Sequence, residues 1–506
     1  MPASAEPCAT WRIDASIFTS CGNHEARERL TSCPRLAPGI CPVLTRCLLL
    51  LLSSGVAAAG PLTDADLARA SELRDAALKG SGAYAVVESL TTEVGHRMAG
   101  SANDAKGVAW AVAKFKQLGY TRVYLQPVKF PVWERGFESA GILSPTPQPL
   151  NIAALGGSIG TPKGGIRGVV VRFENAAELE HAEPGSLRGK IAYVANRMQR
   201  ARDGGGYGPA VIARVQGAVF AARAGASAVL IRSIGTDEKA STPHTGMMKY
   251  DNMLTRIPAA ALANADADGL EQALTSGQPV EVKLELGSRT RKGEYTSANV
   301  IGEIPGREFP DEIVAIGGHL DSWDLGTGAI DDGAGIAITM MAGALIGRMD
   351  APPRRTIRVI AFANEEQGVF GGKQYGLDHA DQVARHVLGA ESDFGAGRIY
   401  QLSSRVSAAA LPIIEQIHSV LAPLGIERGD NLAGGGADFS AMRDLGMPIL
   451  GLNQDGSQYF DYHHTSADTI DKINAADLDQ NVAAYAAMAY LAAQAGPVFG
   501  PVATAK

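Results

Sequence analysis

From Asn299 onwards the chain alternates between short apolar runs and segments of helical length, and this alternation constrains the fold more than any other feature. It predicts strands at 312–317, 356–363, 386–391 and 448–453 and helices at 333–347, 409–424 and 478–494. Strands separated by helices form a largely parallel sheet with helices on both faces. We therefore predict an α/β fold with a mixed, largely parallel sheet, in which ligands bind beyond the carboxyl ends of the strands.

The earlier part of the sequence contains two stretches that differ in composition and periodicity. Residues 63–118 have helical periodicity and 120–130 alternate like a strand, whereas 131–290 are rich in Gly and Pro and contain recurring short strands. We interpret 131–290 as an inserted β-rich domain, placed within a main domain that is formed by 60–130 and 291–500.

A secretory signal is predicted before the main domain. Arg46 precedes five leucines at 48–52, and the alanines at 57–59 are typical of a cleavage site, so residues 1–59 are interpreted as leader and signal peptide. The long stretch before the leucines is either a genuine leader, or it is not translated because the true start lies near Val43. The apolar run is too short to span a bilayer. We expect a secreted or periplasmic protein without a membrane anchor.

Cysteine usage and charge narrow the chemistry further. All five cysteines precede the predicted cleavage site, at positions 8, 21, 33, 41 and 47. The exported chain would therefore contain neither disulfides nor thiolate metal ligands. The formal net charge is −7 and no basic block occurs, which argues against nucleic acid as a partner.

The first chemical motif lies between a predicted strand and a predicted helix. Residues 317–322 contain His319 and Asp321, and Asp331 and Asp332 follow before the helix begins. An imidazole and several carboxylates in such a position are ligands that suit zinc. The alternative is a solvated turn rich in Asp and Gly.

Two further carboxylate motifs follow predicted strands. Glu365 and Glu366 are adjacent, so one can bind metal while the other faces the substrate as a base. The alternative for this pair is a solvated surface feature. Asp393 is a ligand candidate because it lies beyond its strand, with Glu391 as the competitor, and the alternative is an Asp that only forms a turn.

A second imidazole comes from His463 or His464. Neighbouring side chains alternate along an extended backbone, so we expect one of these residues to bind metal and the other to pack or to touch substrate. Asp468 is predicted to accept the second ring N–H of the ligand.

Together the motifs supply five candidate metal ligands: His319, Asp331, Glu366, Asp393 and His464. Five ligands complete two tetrahedral sites only if a carboxylate and a water are shared between the metals. Two zinc ions about 3.5–4 Å apart would lower the pKa of that water. Glu365 is then free to take the proton of the water and to pass it to a leaving amine. Two histidine ligands do not suit calcium, which prefers oxygen.

In this order the motifs resemble the zinc exopeptidases of peptidase family M28. The resemblance rests on His319-Leu-Asp321, Gly328-Ala-Ile-Asp331-Asp332, Asn364-Glu365-Glu366, Asp393 and His464-Thr-x-x-Asp468-Thr, with support from 131–136, 156–160 and 434–439. It covers nearly the whole chain after the predicted signal peptide.

The resemblance implies a role for each candidate. Asp331 would bridge the two zinc ions, with Glu366 and His464 on one ion and His319 and Asp393 on the other. Glu365 would be the general base, and Asp321 would hold His319. The resemblance also implies that 131–290 is a protease-associated domain, a lid or recognition module on the catalytic domain.

The function expected from the resemblance is a secreted di-zinc metallo-exopeptidase that hydrolyses dipeptides or short peptides as a carboxypeptidase. A zinc aminopeptidase is the first rival, because Glu391 and Asp324 are spare acids that could receive a free α-amine. A glutaminyl-cyclase-like acyltransferase with one working zinc and a non-enzymatic receptor ectodomain are two further rivals. The complete set of five ligands argues against the acyltransferase, and the intact ligands together with Glu365 argue against the receptor. Whether the enzyme forms a homodimer is left open.

Overall fold

Two mixed sheets of eight strands each organise the described part of the chain. The structure, a computed structural model, describes residues 62–495, 499, 500 and 502. The predicted leader and signal peptide at 1–59 lie outside the described residues.

The α-helices are α1 Asp64–Ala77, α2 Ala83–Glu93, α3 Ala102–Gln117, α4 Ala176–Glu180, α5 Tyr207–Arg223, α6 Asn264–Leu274, α7 Ala334–Gly347, α8 Phe370–Asp378, α9 Leu411–Leu421, α10 Ser440–Asp444, α11 Tyr459–Tyr462 and α12 Ala475–Ala495. The strands are β1 Arg122–Glu134, β2 Glu138–Ser144, β3 Gln148–Leu150, β4 Ile152–Ala154, β5 Ile166–Phe173, β6 Ile191–Val194, β7 Ala228–Arg232, β8 Ala259–Leu262, β9 Glu281–Leu286, β10 Arg289–Ile304, β11 Phe309–His319, β12 Arg355–Phe362, β13 His386–Glu391, β14 Ile399–Arg405, β15 Glu427–Arg428 and β16 Ile449–Gln454.

The first sheet has the strand order β1-β10-β12-β11-β13-β16-β14-β15. Its centre is parallel, because β12, β11, β13 and β16 all run in one direction. Antiparallel pairs flank this centre, with β10 beside β12 and β14 beside β16. The predicted α/β class with a mixed, largely parallel sheet is confirmed.

Helices cover both faces of this sheet. Val314 and Ile316 of β11 belong to the hydrophobic cluster that includes α7 and α12. Their neighbours Ile313 and Ala315 belong to a second cluster, which includes residues of α8 and α10. Successive side chains of a strand point to opposite faces. The strand is therefore buried on both sides, which explains its almost continuous apolar sequence.

One apolar helix needs separate mention. The segment Ala329–Gly347, which contains α7, is long and apolar enough to cross a membrane by length and composition. However, 94% of its most apolar window is buried inside the protein. It is apolar all round because it packs between the sheet and other helices.

The first helices begin at residues that satisfy their free N–H groups. Thr63 and Asp66 form a reciprocal capping box at the start of α1. Ser101 accepts a hydrogen bond from the N–H of Asp104 at the start of α3. These signals explain why the helices predicted within 63–118 begin where they do.

The second sheet is formed by residues 138–286 in the order β3-β2-β9-β5-β6-β7-β8-β4. Arg135, which follows β1, links it to the loops of the first sheet: it donates a hydrogen bond to the carbonyl of Ala154 in β4 at 2.6 Å and forms an ion pair with Asp324 at 2.7 Å. Trp133 and Trp323 meet edge to face, with ring centroids 6.1 Å apart. Both tryptophans belong to a hydrophobic cluster that also contains strand residues of the second sheet, so they pack the two sheets together. The boundaries of an inserted domain at 131–290 stay a prediction.

Candidate active site

The loops that follow the parallel strands meet at one edge of the first sheet. β11 ends at His319, β12 at Phe362 and β13 at Glu391. The chain after β16 forms α11 and then brings two histidines to the same place. This is the edge at which ligands bind in sheets of this kind.

His319 is almost fully buried at the end of β11. Its Nδ1 lies 3.0 Å from the carbonyl oxygen of Asp321, so Nδ1 carries the proton and donates it. Its Nε2 lies 3.0 Å from Oδ1 of Asp331 and 3.5 Å from Oδ1 of Asp393. A nitrogen lone pair that faces two carboxylate oxygens is stable only when a cation or a proton lies among them.

His464 repeats this arrangement on the other side of Asp331. Its Nδ1 lies 3.3 Å from the carbonyl oxygen of Thr245. Its Nε2 lies 2.9 Å from Oε2 of Glu366 and 3.2 Å from Oδ2 of Asp331. Asp331 therefore lies between two imidazole rings, with one carboxylate oxygen facing each ring.

The backbone around Asp331 is held by Asp468. Oδ1 of Asp468 accepts the N–H of Ile330 at 2.6 Å, and Oδ2 accepts the N–H of Asp331 at 3.3 Å. The prediction that Asp468 accepts the ring N–H of His464 is therefore wrong. Both oxygens of Asp468 are used by backbone donors, and the carbonyl of Thr245 takes the ring proton instead.

Two residues that sequence reasoning did not assign also hold this loop. Asp332 accepts the backbone N–H groups of His319 and Gly335, both at 3.0 Å. Arg97 is 1% exposed and donates hydrogen bonds to three backbone carbonyls, those of Leu320, Thr327 and Gly328. Nothing in the sequence near Arg97 indicates this contact, which spans more than 220 residues.

The two adjacent histidines lie on the same side of the chain. His464 has a positive φ of 60°, so the backbone is not extended there. The rings of His463 and His464 stack with centroids 3.6 Å apart, and Nε2 of His463 lies 3.5 Å from Oδ2 of Asp331. The expectation of alternating directions is wrong because its premise of an extended backbone does not hold.

Glu365 and Asp321 are linked through the backbone. Oδ1 of Asp321 accepts the N–H of Glu365 at 2.9 Å and lies 3.7 Å from Nδ1 of His319. Asp321 thus contacts His319 through its carbonyl, whereas its carboxylate holds the loop that carries Glu365. The side chain of Glu365 lines a cavity beside Asp331 and forms no hydrogen bond with any described residue.

The competing acids have other partners. Glu391 accepts the backbone N–H groups of residues 438 and 439 at 2.9 and 3.3 Å, whereas Asp393 faces the imidazole at the end of β11. Asp324 is neutralised by Arg135. It is therefore not the spare acid that an aminopeptidase requires.

The charges of the site perturb one another strongly. Burial raises the pKa of Glu366 to about 7, against the opposing effect of His464. Burial would lower the pKa of His464, but the carboxylates of Glu366 and Asp331 raise it to about 10. Burial also raises the pKa of Glu365 and Asp393, and neighbouring carboxylates add to the effect. A cluster of this kind is stabilised by bound cations.

The donor set fits a metal centre. Oδ2 of Asp331 and Oε1 of Glu366 are buried and have no hydrogen-bond partner among the described residues. His319, Asp331 and Glu366 can offer ligand atoms that all lie within 4.8 Å of one another, and so can His319, Asp332 and Asp393. Imidazole nitrogens and carboxylate oxygens are typical ligands of catalytic zinc, and the described residues contain no cysteine that could compete with them.

A cavity of about 270 Å³ opens on these donors. Its walls come from both sheets, since Tyr207, Arg214 and Met247 belong to the second-sheet region. A second cavity of about 330 Å³ shares Asp393 with it and is lined by the glycines at 434–436. Sequence reasoning missed Arg214, because an arginine in a predicted helix normally indicates a solvated face.

The site and fold together define a class of enzyme. Residues 299–489 match the family model for peptidase family M28. Carboxypeptidase Q of Mus musculus is 35% identical over 404 residues, which cover 80% of this chain and 84% of the mouse protein. The chain belongs to peptidase family M28, and the predicted enzyme class, an M28-type metallopeptidase, is confirmed.

Two solved structures are similar to this chain in sequence and fold. The peptidase M28 precursor of Shewanella amazonensis is 50% identical, with a TM-score of 0.85 over 87% of this chain and 99% of that chain. A zinc aminopeptidase from Bacillus subtilis shares the fold at 21% identity, with a TM-score of 0.59 over 83% of this chain and 98% of that chain.

Proposed function

We propose that the protein is an exported di-zinc exopeptidase that hydrolyses dipeptides or short peptides. One observation carries the proposal: the carboxylate of Asp331 lies between two imidazoles, with Oδ1 3.0 Å from His319 Nε2 and Oδ2 3.2 Å from His464 Nε2. A carboxylate in this position can bridge two metals. Asp393 would complete the first site and Glu366 the second.

Each residue then has a separate task in the reaction. When bound, zinc supplies a water of lowered pKa and polarises the carbonyl of the substrate. The carboxylate of Glu365 has no hydrogen bond to a described residue, so it can take a proton from the attacking water and give it to the leaving amine. Asp321 keeps Glu365 in position through the backbone N–H and keeps the tautomer of His319 through its carbonyl.

The segment 131–290 is proposed to be a recognition module, since Tyr207, Arg214 and Met247 line the cavity but are not part of the donor cluster.

The likeness to carboxypeptidase Q favours a carboxypeptidase or dipeptidase. An aminopeptidase is the second candidate, which Asp203 and Glu391 at the neighbouring cavity favour, because neither is among the proposed metal ligands.

Metal content and end specificity test the proposal. Protein purified without chelator should contain close to two zinc ions per chain by elemental analysis. Peptides with free, acetylated and amidated ends should then show which terminus is needed. One zinc with full activity, or no peptide hydrolysis by the zinc-loaded protein, would contradict the proposal.

Export and assembly are tested separately. N-terminal sequencing of exported protein should begin near Gly60, after the predicted signal peptide. An intact Met1 on exported protein would contradict this cleavage. Light scattering would establish whether the homodimer left open by the sequence exists.

A further inference from the structure

Four of the five proposed metal ligands are held by the first sheet and the loops that follow its strands. His319 ends β11, Glu366 follows β12 and Asp393 follows β13. Asp331 lies in the loop after β11, and the carboxylate of Asp468 holds the backbone of that loop. The positions of these four side chains are therefore set by one part of the molecule.

The fifth ligand, His464, is held by a different part. It ends the α11 segment, which we define as residues 456–464. In the described part of the chain, every hydrogen bond from the backbone of this segment to a residue outside 455–468 goes to the second-sheet region, residues 138–286. The partners there are Arg200, Arg202, Thr236, His244 and Thr245.

Thr245 holds His464 from two sides. Its backbone N–H donates to the carbonyl of His464 at 3.0 Å, and its own carbonyl lies 3.3 Å from Nδ1 of the imidazole. His464 also has a positive φ of 60°, which a residue other than glycine keeps only where its surroundings hold it. The ring that faces Glu366 is thus oriented by contacts with the second-sheet region.

An ion pair holds α11 in the same way. The guanidinium of Arg200 forms two hydrogen bonds with the carboxylate of Asp461, at 2.6 and 2.9 Å, and also donates to the carbonyl of Ser457. The hydroxyl of Thr236 donates to the same carboxylate at 2.7 Å, and its N–H donates to the carbonyl of Phe460 at 3.1 Å. A bidentate pair fixes geometry as well as charge. Helix and histidine are therefore docked together on the second-sheet region.

The proposed metal centre thus has two halves with different supports. The first half, His319 with Asp393, depends on the first sheet. The second half, Glu366 with His464, depends on the second-sheet region for the position of its imidazole. The two halves share Asp331.

We propose that the second half of the metal centre forms only while the second-sheet region is docked on the α11 segment, and that the first half forms without this docking. Arg200 is then a positioning residue, which acts on the metal through Asp461 and α11. The inference rests on the proposed di-zinc function and extends it, because it gives the second-sheet region a task besides substrate recognition. Binding is reciprocal, so zinc in the second half should tighten the docking by the factor by which docking tightens zinc.

Zinc affinity measured by chelator competition tests this asymmetry. We expect Arg200→Gln to weaken one of the two zinc ions about 10–100-fold, the range found when a group that positions a ligand is removed, and to leave the other unchanged. Arg200→Lys keeps the charge opposite Asp461 and should recover part of the loss. Arg197→Gln is the matched control, because Arg197 lies in the same loop and pairs with Asp268 inside the second-sheet region at 2.5 Å. It should bind both ions as the wild-type protein does.

Two ligand variants show which ion is affected. Glu366→Gln removes a ligand of the second half, and Asp393→Asn removes a ligand of the first. Adding Arg200→Gln should weaken the zinc that remains in Asp393→Asn and should not affect the zinc that remains in Glu366→Gln.

Hydrogen exchange gives the reciprocal readout without catalysis. The backbone N–H groups of Thr236 and Thr245 donate to carbonyls of the α11 segment, so their exchange reports the docking. Loading with zinc should slow this exchange in the wild-type protein and in Asp393→Asn, but not in Glu366→Gln.

Three results would overturn the inference. The first is an equal weakening of both zinc ions in Arg200→Gln, and the second is no weakening of either. The third is exchange at Thr236 and Thr245 that zinc slows equally in Glu366→Gln and in the wild-type protein, which decides the matter even if Arg200→Gln fails to fold. Failure of the proposed function has a different signature, since the wild-type protein would then bind fewer than two zinc ions or cleave no peptide.

Discussion

Replacing Glu365 by Gln separates catalysis from metal binding and from stability. In the structure the Glu365 side chain has no hydrogen bond or ion pair with a described residue, and its backbone N–H remains bonded to Asp321 at 2.9 Å after the change. Gln has the same shape and cannot accept a proton. Loss of a positioned general base lowers the rate about 10²–10⁴-fold, or about 3–5.5 kcal/mol of barrier.

The same geometry predicts what should not change. No contact is lost, so the free energy of unfolding should stay within about 0.5 kcal/mol of the wild-type value. Zinc content should stay at two ions per chain. Because the proton moves in the transition state, the loss should appear in kcat and not in KM.

The assay is steady-state hydrolysis of a dipeptide, with zinc measured on the same samples. Glu366→Gln is the contrasting variant, because Oε2 of Glu366 lies 2.9 Å from His464 Nε2 and its loss should lower zinc content together with activity. Near-normal kcat in Glu365→Gln with both zinc ions bound would refute the reasoning. Glu391 would then be the next base to test, since both backbone N–H groups bond its Oε2 and its Oε1 has no hydrogen-bond partner among the described residues.

Three further predictions concern residues that support the fold and site. Asp468→Asn should lower zinc affinity about 10–100-fold in a chelator competition, because the amide can accept only one of the two backbone N–H groups that the carboxylate holds. Burial lowers the pKa of His386 from 6.5 to about 3, so the unfolded chain binds more protons between these values. Stability should therefore be complete above pH 6.5 and fall by up to about 5 kcal/mol towards pH 3, and His386→Asn should flatten this dependence in urea unfolding. Arg97→Met should lower the free energy of unfolding by about 3 kcal/mol or more, since three buried carbonyls lose their donor at about 1–3 kcal/mol each.

Each of these predictions has a control or a contrary outcome. Asp471→Asn changes an exposed acid near Asp468 and should leave zinc affinity unchanged. Parallel stability curves for His386→Asn and the wild-type protein would show that His386 does not carry the acid sensitivity. Arg69→Met removes only an exposed pair with Glu72 and should cost less than about 1 kcal/mol.

Strand positions in the first sheet could be predicted closely from local pattern. β13 begins and ends where the apolar run at 386–391 predicts, and β11 extends three residues earlier and two later than 312–317. These strands are buried on both faces, so burial leaves an uninterrupted apolar run in the sequence. The convergence of His319, Asp331 and Asp393 follows from the same fact, because each comes at or after the carboxyl end of a parallel strand.

The errors arose where side chains satisfy backbone groups. A sequence motif places Asp468 near His464, but it does not say which donors compete for the carboxylate, and two backbone N–H groups of the loop after β11 are the ones it binds. In the same way, the rule that neighbouring side chains alternate holds only for an extended backbone, and His464 has a positive φ of 60°. Both errors concern local geometry that residue types leave undetermined.

The residues that were missed share a different property, which is that their partners are distant in sequence. Arg214 lies in α5 of the second-sheet region, and its nearest imidazole among the candidate ligands is 250 residues later. Composition and periodicity describe α5 correctly as a helix beside a sheet. They do not reveal that its buried arginine lacks an acidic partner among the described residues, because that deficit exists only after the two sheets have packed.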